Sequence, residues 1–384
     1  MEFVEKKASE LYVSSSGLSK PADQFGFGFP FLSYSDIFHH YYAPEKLTTL
    51  VNSDENDRRK CSVHRGDVFL TRTSETTNEL GMSCVALKDY PNATFNGFAK
   101  RLRPIADEIV PEYAAYYFRS SYFRAQCMSF ASLITRASLN DGMIGRLKIR
   151  YPKSKKAQTE IGHALMNYDN LIEVNDKRIK VLEQMAENLY KEWFVRFRFP
   201  GHETAEFENG IPRGWNITRC KDIVPVLTGK KDANYGDDGG PYPFFTCAQE
   251  PIQAPDYSFD CAAVLLAGNC DLNAKVYKGK FEAYQRTYVL SPHNITHLFL
   301  LYYVIKDNVE RLKQASTGAA ISFITKGMIE RIHFLLPPNE LLVRFHGIMD
   351  DLYTQKDVLM KLNKNLIKQR DLLLPRLMSG KLEV

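Results

Sequence analysis

The sequence predicts an α+β chain built as an internal repeat: a mixed globular block, a long helix, a linker, a second mixed block and a second long helix. Three observations predict it. One segment occurs twice, two long stretches carry heptad spacing, and the remaining residues form short apolar runs between turn residues. At about 150 residues per domain, 384 residues suit two or three domains.

The repeat is carried by Gly142-Met-Ile-Gly-Arg-Leu-Lys-Ile-Arg-Tyr-Pro152 and Gly327-Met-Ile-Glu-Arg-Ile-His-Phe-Leu-Leu-Pro337, identical at five of eleven positions. Both alternate apolar and polar residues and stop at proline, which predicts a half-buried strand. Upstream, Ser16-Gly17 and Pro30-Phe31-Leu32-Ser33 parallel Thr228-Gly229 and Pro243-Phe244-Phe245-Thr246. Two matches in the same order point to a duplicated unit.

A long helical stretch follows each copy. Ile161, Leu165, Tyr168, Ile172, Asn175, Ile179, Leu182, Ala186, Leu189 and Trp193 alternate spacings of four and three, the repeat of a coiled-coil seam. The second series is Leu341, Phe345, Ile348, Leu352, Gln355, Leu359, Leu362, Leu366, Gln369 and Leu373. A shift of 180 residues lays Asn175 on Gln355, so each seam is expected to carry one polar residue at a shared level, with Trp193 and Leu373 also equivalent. Each helix spans about 50–60 Å at 1.5 Å per residue. Two amphipathic helices on separate cores are the alternative.

The block preceding the first helix contains the strand pattern Asp67-Val-Phe-Leu-Thr71 and a short helix near Glu112–Ser120. The second contains Ala262-Ala-Val-Leu-Leu-Ala267 and a short helix near Asn294–Val309. The polar segment Pro200–Pro212, bracketed by Pro and Gly, reads as the linker. The expected organisation is therefore 1–156, a helix over 157–198, a linker over 199–210, 211–338, and a helix over 339–378. The second block opens on Trp215-Asn-Ile-Thr-Arg-Cys-Lys-Asp222. The first lacks a matching opening strand, and so looks slightly trimmed, unless Phe3-Val4 supply it.

Composition narrows the function classes. The chain is 44% hydrophobic, enough to form packed cores. No apolar run approaches the roughly 18 residues of a membrane helix, and MEFVEKKASE lacks the apolar region of a signal peptide. Seven cysteines with no CxxC pair argue against a disulfide framework or zinc ribbon, and suit a reducing cytoplasm. From Lys100 to Lys156 there are 12 basic and 4 acidic residues, a local excess of 12 − 4 = +8, interleaved with Tyr116, Tyr117, Phe118, Tyr122 and Phe123. Such a stretch suits a surface that meets phosphates; a solvated face over an aromatic core is the alternative.

Catalytic templates fail one after another. Gly229-Lys230-Lys231 lacks the leading glycine and hydroxyl residue of a phosphate loop. Phe25-Gly-Phe-Gly-Phe29 has the wrong spacing for a dinucleotide turn and reads as a packed aromatic turn. Pro337-Pro338-Asn339 reverses the order of a base-methyltransferase motif. His202-Glu203 has no second histidine, adjacent His39-His40 diverge, and Pro255-Asp256 lacks a completing lysine. The sequence reads as a protein without an active site or metal of its own.

The globular-helix-globular-helix order, with a Gly-Met-Ile segment before each helix, resembles the specificity subunit of type I restriction–modification enzymes. Further similar stretches are Gly66-Asp-Val-Phe-Leu-Thr-Arg-Thr-Ser74, Leu182-Glu-Gln-Met-Ala-Glu-Asn-Leu-Tyr-Lys-Glu-Trp-Phe194, Ile211-Pro-Arg-Gly-Trp215, Ser316-Thr-Gly318 and Leu374-Pro-Arg-Leu-Met-Ser-Gly-Lys-Leu382. The resemblance implies two mixed α/β target-recognition domains separated by two long antiparallel coiled-coil helices, with a pseudo-two-fold repeat. Each domain would read half of a split, asymmetric double-stranded DNA target, and the helices would set the separation of the halves. Two methyltransferase subunits would dock on the chain, and restriction/translocase subunits would join through them. S-adenosylmethionine, ATP and magnesium would belong to those partners. Other classes remain open: a two-headed protein- or glycan-binding scaffold, or a single-chain DNA methyltransferase or nuclease with unrecognised motifs.

Loops after strands are the expected contact points, because phosphates need Lys or Arg and base edges need planar donors. The candidates are Arg72, Thr73, Ser74, Arg101, Arg103 and Arg136 in the first domain. In the second they are Lys230, Lys231, Asn269, Asn273, Lys275 and Arg286.

Overall fold

The computed structural model describes residues 1–74, 79–129, 137–270, 272–315 and 323–383. The chain divides into two compact units, Met1–Asn175 with Lys361–Val384, and Asp176–Met360. This division cuts both long helices, so each unit contains one globular block and a part of each helix. The sequence-based boundaries at 156 and 338 instead followed the helix starts.

The first unit opens on the strand Phe3–Lys7, which pairs antiparallel with Lys148–Pro152. Phe3-Val4 thus do supply the opening strand. A one-turn helix Ala8–Leu11 leads into a four-stranded sheet ordered Tyr12–Ser16, Ala99–Pro104, Val68–Thr71, Ser83–Val85. A three-stranded sheet is ordered Leu50–Val51, Phe25–Leu32, Thr94–Phe95. Phe25-Gly-Phe-Gly-Phe29 therefore belongs to a strand and is not a turn. Phe25 and Phe29 both oppose Val51, and Gly26 and Gly28 take the positive φ that the bulge between them requires. Of the aromatics of the basic stretch, Tyr116, Tyr117, Phe118 and Phe123 are buried together with Tyr113, on and beside the helix Pro111–Tyr117, whereas Tyr122 is exposed.

The second unit repeats this order. Asn216–Arg219 pairs with His333–Leu336, and the one-turn helix Cys220–Ile223 follows. Its six-stranded sheet runs Val226–Thr228, Thr287–Leu290, Phe259–Ala267, Ala274–Ala283, Tyr242–Phe245, Ile252–Ala254, backed by the helix Leu298–Gln314. The registers match: Val68↔Leu102 and Thr71↔Ala99 in the first sheet correspond to Val264↔Leu290 and Ala267↔Thr287. Gly17 and Gly229 recur because the backbone passes too close for a side chain. A Cβ would stand 2.3 Å from the Asn96 carbonyl oxygen at Gly17 and 1.9 Å from that of Ala283 at Gly229.

Two expectations need correction. The Gly-Met-Ile segments start as one-turn helices, Asp141–Arg146 and Lys326–Glu330, and extend only from Lys148 and His333. Asn140 caps the first of these by accepting from the Met143 amide at 2.9 Å, a local bond that competes with extension. The linker holds a small hairpin, Phe207–Glu208 with Ile211–Pro212, turned by Asn209-Gly210 in positive φ.

The first long helix covers Lys155–Tyr190 and widens into a π-helical turn over Lys191–Val195; the second covers Asn339–Ser379. The first seam is as expected: Ile161, Leu165, Asn175, Ala186 and Trp193 are buried, and Tyr168, Ile172, Ile179, Leu182 and Leu189 half-buried. In the second, Leu352, Leu359, Leu366 and Leu373 face inward, but Ile348, Gln355, Leu362 and Gln369 are exposed. The inward positions are one residue later, at Met349, Lys356, Asn363 and Arg370.

Apolarity misled the assignment, because the polar side chains have partners across the seam. In the first unit the Asn175 amide donates to Asn363 Oδ1 at 2.8 Å, with both residues buried. Arg370 donates to Asp169, which also accepts from the Tyr116 hydroxyl, and its guanidinium lies 4.8 Å from the Tyr41 ring centre. In the second unit Lys356 pairs with Glu183 at 2.7 Å. These pairings run antiparallel, and Asn175 meets Asn363 in place of Gln355.

Replacing one asparagine strands the other in an apolar seam. Asn363→Leu should cost about 1–3 kcal/mol in urea unfolding. The Asn175→Leu/Asn363→Leu double variant should recover most of that loss.

A second expectation concerns pH. Glu187 accepts from Lys191 at 2.5 Å and Lys306 at 2.8 Å, which hold its carboxyl down at about 2. A depressed carboxylate stabilises above its unfolded pKa, and that contribution is lost as pH falls through the folded value. Stability should therefore decline from about pH 4.5 to about pH 2, and Glu187→Gln should flatten that part of the curve.

Candidate nucleic-acid interface

In each domain the central strand runs out into a junction built from backbone hydrogen bonds. In the first, Val68–Thr71 ends and the Arg72 amide donates to the Phe98 carbonyl at 3.0 Å. The Arg72 carbonyl accepts from the Leu139 amide at 2.8 Å, and Thr73 and Ser74 pair with Ser138 and Ala137. In the second, Phe259–Ala267 ends and the Gly268 amide donates to the Arg286 carbonyl at 2.8 Å. The Gly268 carbonyl accepts from the Ile324 amide at 3.0 Å, and Asn269 pairs with Phe323. Arg72 thus corresponds to Gly268, Phe98 to Arg286 and Leu139 to Ile324.

Several sequence candidates converge on these junctions. Arg72, Thr73 and Ser74 form the first; Asn269 and Arg286 belong to the second. Lys231 adjoins it, since its carbonyl accepts from the Gln285 amide at 2.9 Å and its ammonium stands 4.1 Å from the Tyr235 ring centre. Lys230 beside it is exposed. Arg136 lies outside the described residues, as does the stretch Ser316-Thr-Gly318.

Other candidates serve the fold. Arg101 is buried and donates to the Ser62 carbonyl at 2.6 Å; burial lowers its pKa. Arg103 grips the fully buried Asp67 through two bonds of 2.8 and 2.6 Å. In the second domain the Asn269 side chain accepts from the Cys247 thiol at 2.6 Å, Asn273 donates to the Cys247 carbonyl at 3.1 Å, and Lys275 donates to the Ala248 carbonyl at 2.8 Å. These three tie down the turn after Tyr242–Phe245.

Several cations of the basic stretch are engaged within the domain. Lys148, Lys153 and Lys155 pair with Glu5, Glu2 and Asp107, while Arg119 donates to the carbonyls of Ser83, Ile37, Phe38 and His40. The solvated face over an aromatic core is the reading that fits.

A cleft of about 380 Å³ opens at the second junction, lined by Gly268, Gln285, Arg286, Tyr288, Phe323, Ile324, Thr325 and Lys326. Lys326 was not among the candidates, although it directly precedes the second Gly-Met-Ile and was visible in the repeat. A larger cleft of about 870 Å³ in the first unit carries both signs, with Arg58, Arg59 and His64 beside Glu55 and Asp89. Among the described residues no cluster of His, Cys, Asp and Glu could hold a metal, and no helix is long and apolar enough to cross a membrane. All seven cysteines are free thiols.

The duplicated junction is matched by a duplicated family match. The model for the type I restriction modification DNA specificity domain covers residues 19–184 and 212–369. The chain belongs to this family. It supplies specificity, and not catalysis, to a restriction–modification complex. The specificity subunit of the type I restriction enzyme EcoDI of Escherichia coli is 43% identical over 131 residues, spanning 34% of this chain and 29% of the relative. That of MjaIX from Methanocaldococcus jannaschii is 24% identical over 99% of this chain and 92% of its own. The fold is that of the type I restriction–modification S subunit from M. genitalium, with a TM-score of 0.64 at 13% identity, over 98% of this chain and 96% of that one.

The division between structural and displayed cations is testable. Arg103→Ala leaves Asp67 buried and unpaired, and should cost about 3–5 kcal/mol in chemical unfolding. Arg286→Ala, on an exposed loop, should leave the melting temperature unchanged.

Proposed function

We propose that each of the two domains reads one half of a split, asymmetric duplex DNA target, and that the length of the paired helices sets the spacing between the halves. The observation carrying this reading is the junction present twice with the same hydrogen bonds but different side chains: Arg72 and Phe98 in one copy, Gly268 and Arg286 in the other. Two readers on a common scaffold but with different surfaces suit two unlike half-sites. Planar and cationic groups at loop ends supply base-edge donors and phosphate contacts.

In this reading the chain is the DNA-binding hub of a larger assembly. Two methyltransferase subunits dock on it, restriction/translocase subunits join through them, and S-adenosylmethionine, ATP and magnesium are bound by those partners. Seven free thiols suit a reducing cytoplasm.

Co-expression with the methyltransferase of the same system, followed by genome-wide mapping of adenine methylation, tests the reading. Methylation confined to one split, asymmetric motif is expected. Exchange of residues 1–156 should change one half of that motif and spare the other. Methylation that follows no split motif would overturn the two-reader arrangement.

A further inference from the structure

We infer that the cleft of the second domain grips a backbone phosphodiester of DNA through Arg286 and Lys326, and that the first domain has no equivalent grip. The inference rests on the DNA-reading role proposed above and adds to it an inequality between the two readers.

The equivalence of positions follows from hydrogen bonds. Arg72 donates to Phe98 and accepts from Leu139, as Gly268 donates to Arg286 and accepts from Ile324. Two residues after Leu139 and Ile324 stand Asp141 and Lys326, each opening its one-turn helix. The sheet registers Leu70↔Lys100 and Leu266↔Tyr288 place Lys100 opposite Tyr288 in the comparison.

At these positions the charges differ in sign and availability. In the first domain the Lys100 ammonium is almost fully buried, 2.8 Å from Asp141 and 3.0 Å from the Ser16 hydroxyl. Lys100 and the Ser14 hydroxyl hold the Asp141 carboxyl below its usual range. The site is closed by its own ion pair, with the uncharged and exposed Phe98 beside it. In the second domain Tyr288 replaces that lysine and spends its hydroxyl on the Ile324 carbonyl at 2.8 Å. Lys326 replaces the acid. It is exposed, and among the described residues its ion-pair partner is Glu330 at 3.6 Å, a separation at which an exposed pair contributes little.

Arg286, also exposed, lines the same cleft, and among the described residues its guanidinium has no carboxylate partner. Gly268 lines the cleft where the first domain has Arg72, and a Cβ there would stand 2.5 Å from the Arg286 carbonyl oxygen and 2.9 Å from the Tyr288 ring. Phe323, exposed at the rim, offers an apolar wall to a sugar or base edge. Two cations around an open cleft fit a phosphodiester, which needs charge and N–H donors but no particular base.

The test uses the full chain in its co-expressed complex and measures affinity for a mixed-sequence duplex DNA across a range of salt concentrations. Arg286→Ala/Lys326→Ala should lower the slope of log affinity against log salt by about 2, roughly one for each cation removed. Arg286→Lys/Lys326→Arg should keep the wild-type slope. In the first domain Phe98→Ala should leave the slope unchanged. Wild-type binding with an unaltered slope in the double alanine variant overturns the phosphate grip and leaves the reader role standing. Failure of the wild-type complex to bind duplex DNA overturns the reader role and the grip together.

Discussion

The second long helix carries three polar side chains one heptad apart, Lys356, Asn363 and Arg370, on the face that meets the first helix. A seam of leucines alone would tolerate neighbouring registers at similar free energy. A buried amide or guanidinium does not, because slipping one step leaves it desolvated without a partner. Asn175 accommodates Asn363, and Asp169 accommodates Arg370. The second of these contacts reaches further, since Asp169 also accepts from Tyr116, at the centre of the aromatic core of the first domain. Helix register and domain packing are thereby coupled through a single carboxylate.

The repeat explains how one framework supports two surfaces. Its recurring elements are backbone bonds and close approaches: the opening strand pair, the glycine pressed against a carbonyl, and the three-way junction at the end of the central strand. None of these depends on the side chains that point away from the sheet. Phe98 and Arg286 occupy equivalent positions within the same backbone bonds, whereas Gly268, opposite Arg72 in the comparison, is held to glycine by the Arg286 carbonyl oxygen 2.5 Å from where its Cβ would stand. At Phe98 and Arg286 the side chains differ while the backbone bonds stay the same, as the proposed reading of two unlike half-sites requires.

Charge counting and charge availability diverge in this chain. The stretch Lys100–Lys156 has a formal excess of +8, yet its Lys100, Arg101, Arg103 and Arg119 are engaged by carboxylates and carbonyls. The second domain, with 14 basic and 12 acidic residues between Ile211 and Pro338, presents the exposed Arg286 and Lys326 at its cleft. A formal charge reaches a ligand only when no internal partner has already taken it, and pairing is a property of the folded chain.

The sequence by itself determined the repeat, the two long helices, the first seam, and the order of blocks and linker. Each is recorded in local periodicity or in repeated words of sequence that need no knowledge of distant contacts. Tertiary structure decided what those signals leave open. Gln355 and Leu362 satisfy a heptad pattern as well as Lys356 and Asn363 do, and only the facing Glu183 and Asn175 settle which residues turn inward. Arg101 and Arg103 look like surface cations until Ser62 and Asp67 are placed beside them. The repeat already aligns Lys326 with Asp141, but the fold decides that one lines an open cleft and the other closes its site with Lys100. In each case the deciding partner is remote in sequence, so the choice belongs to the folded chain.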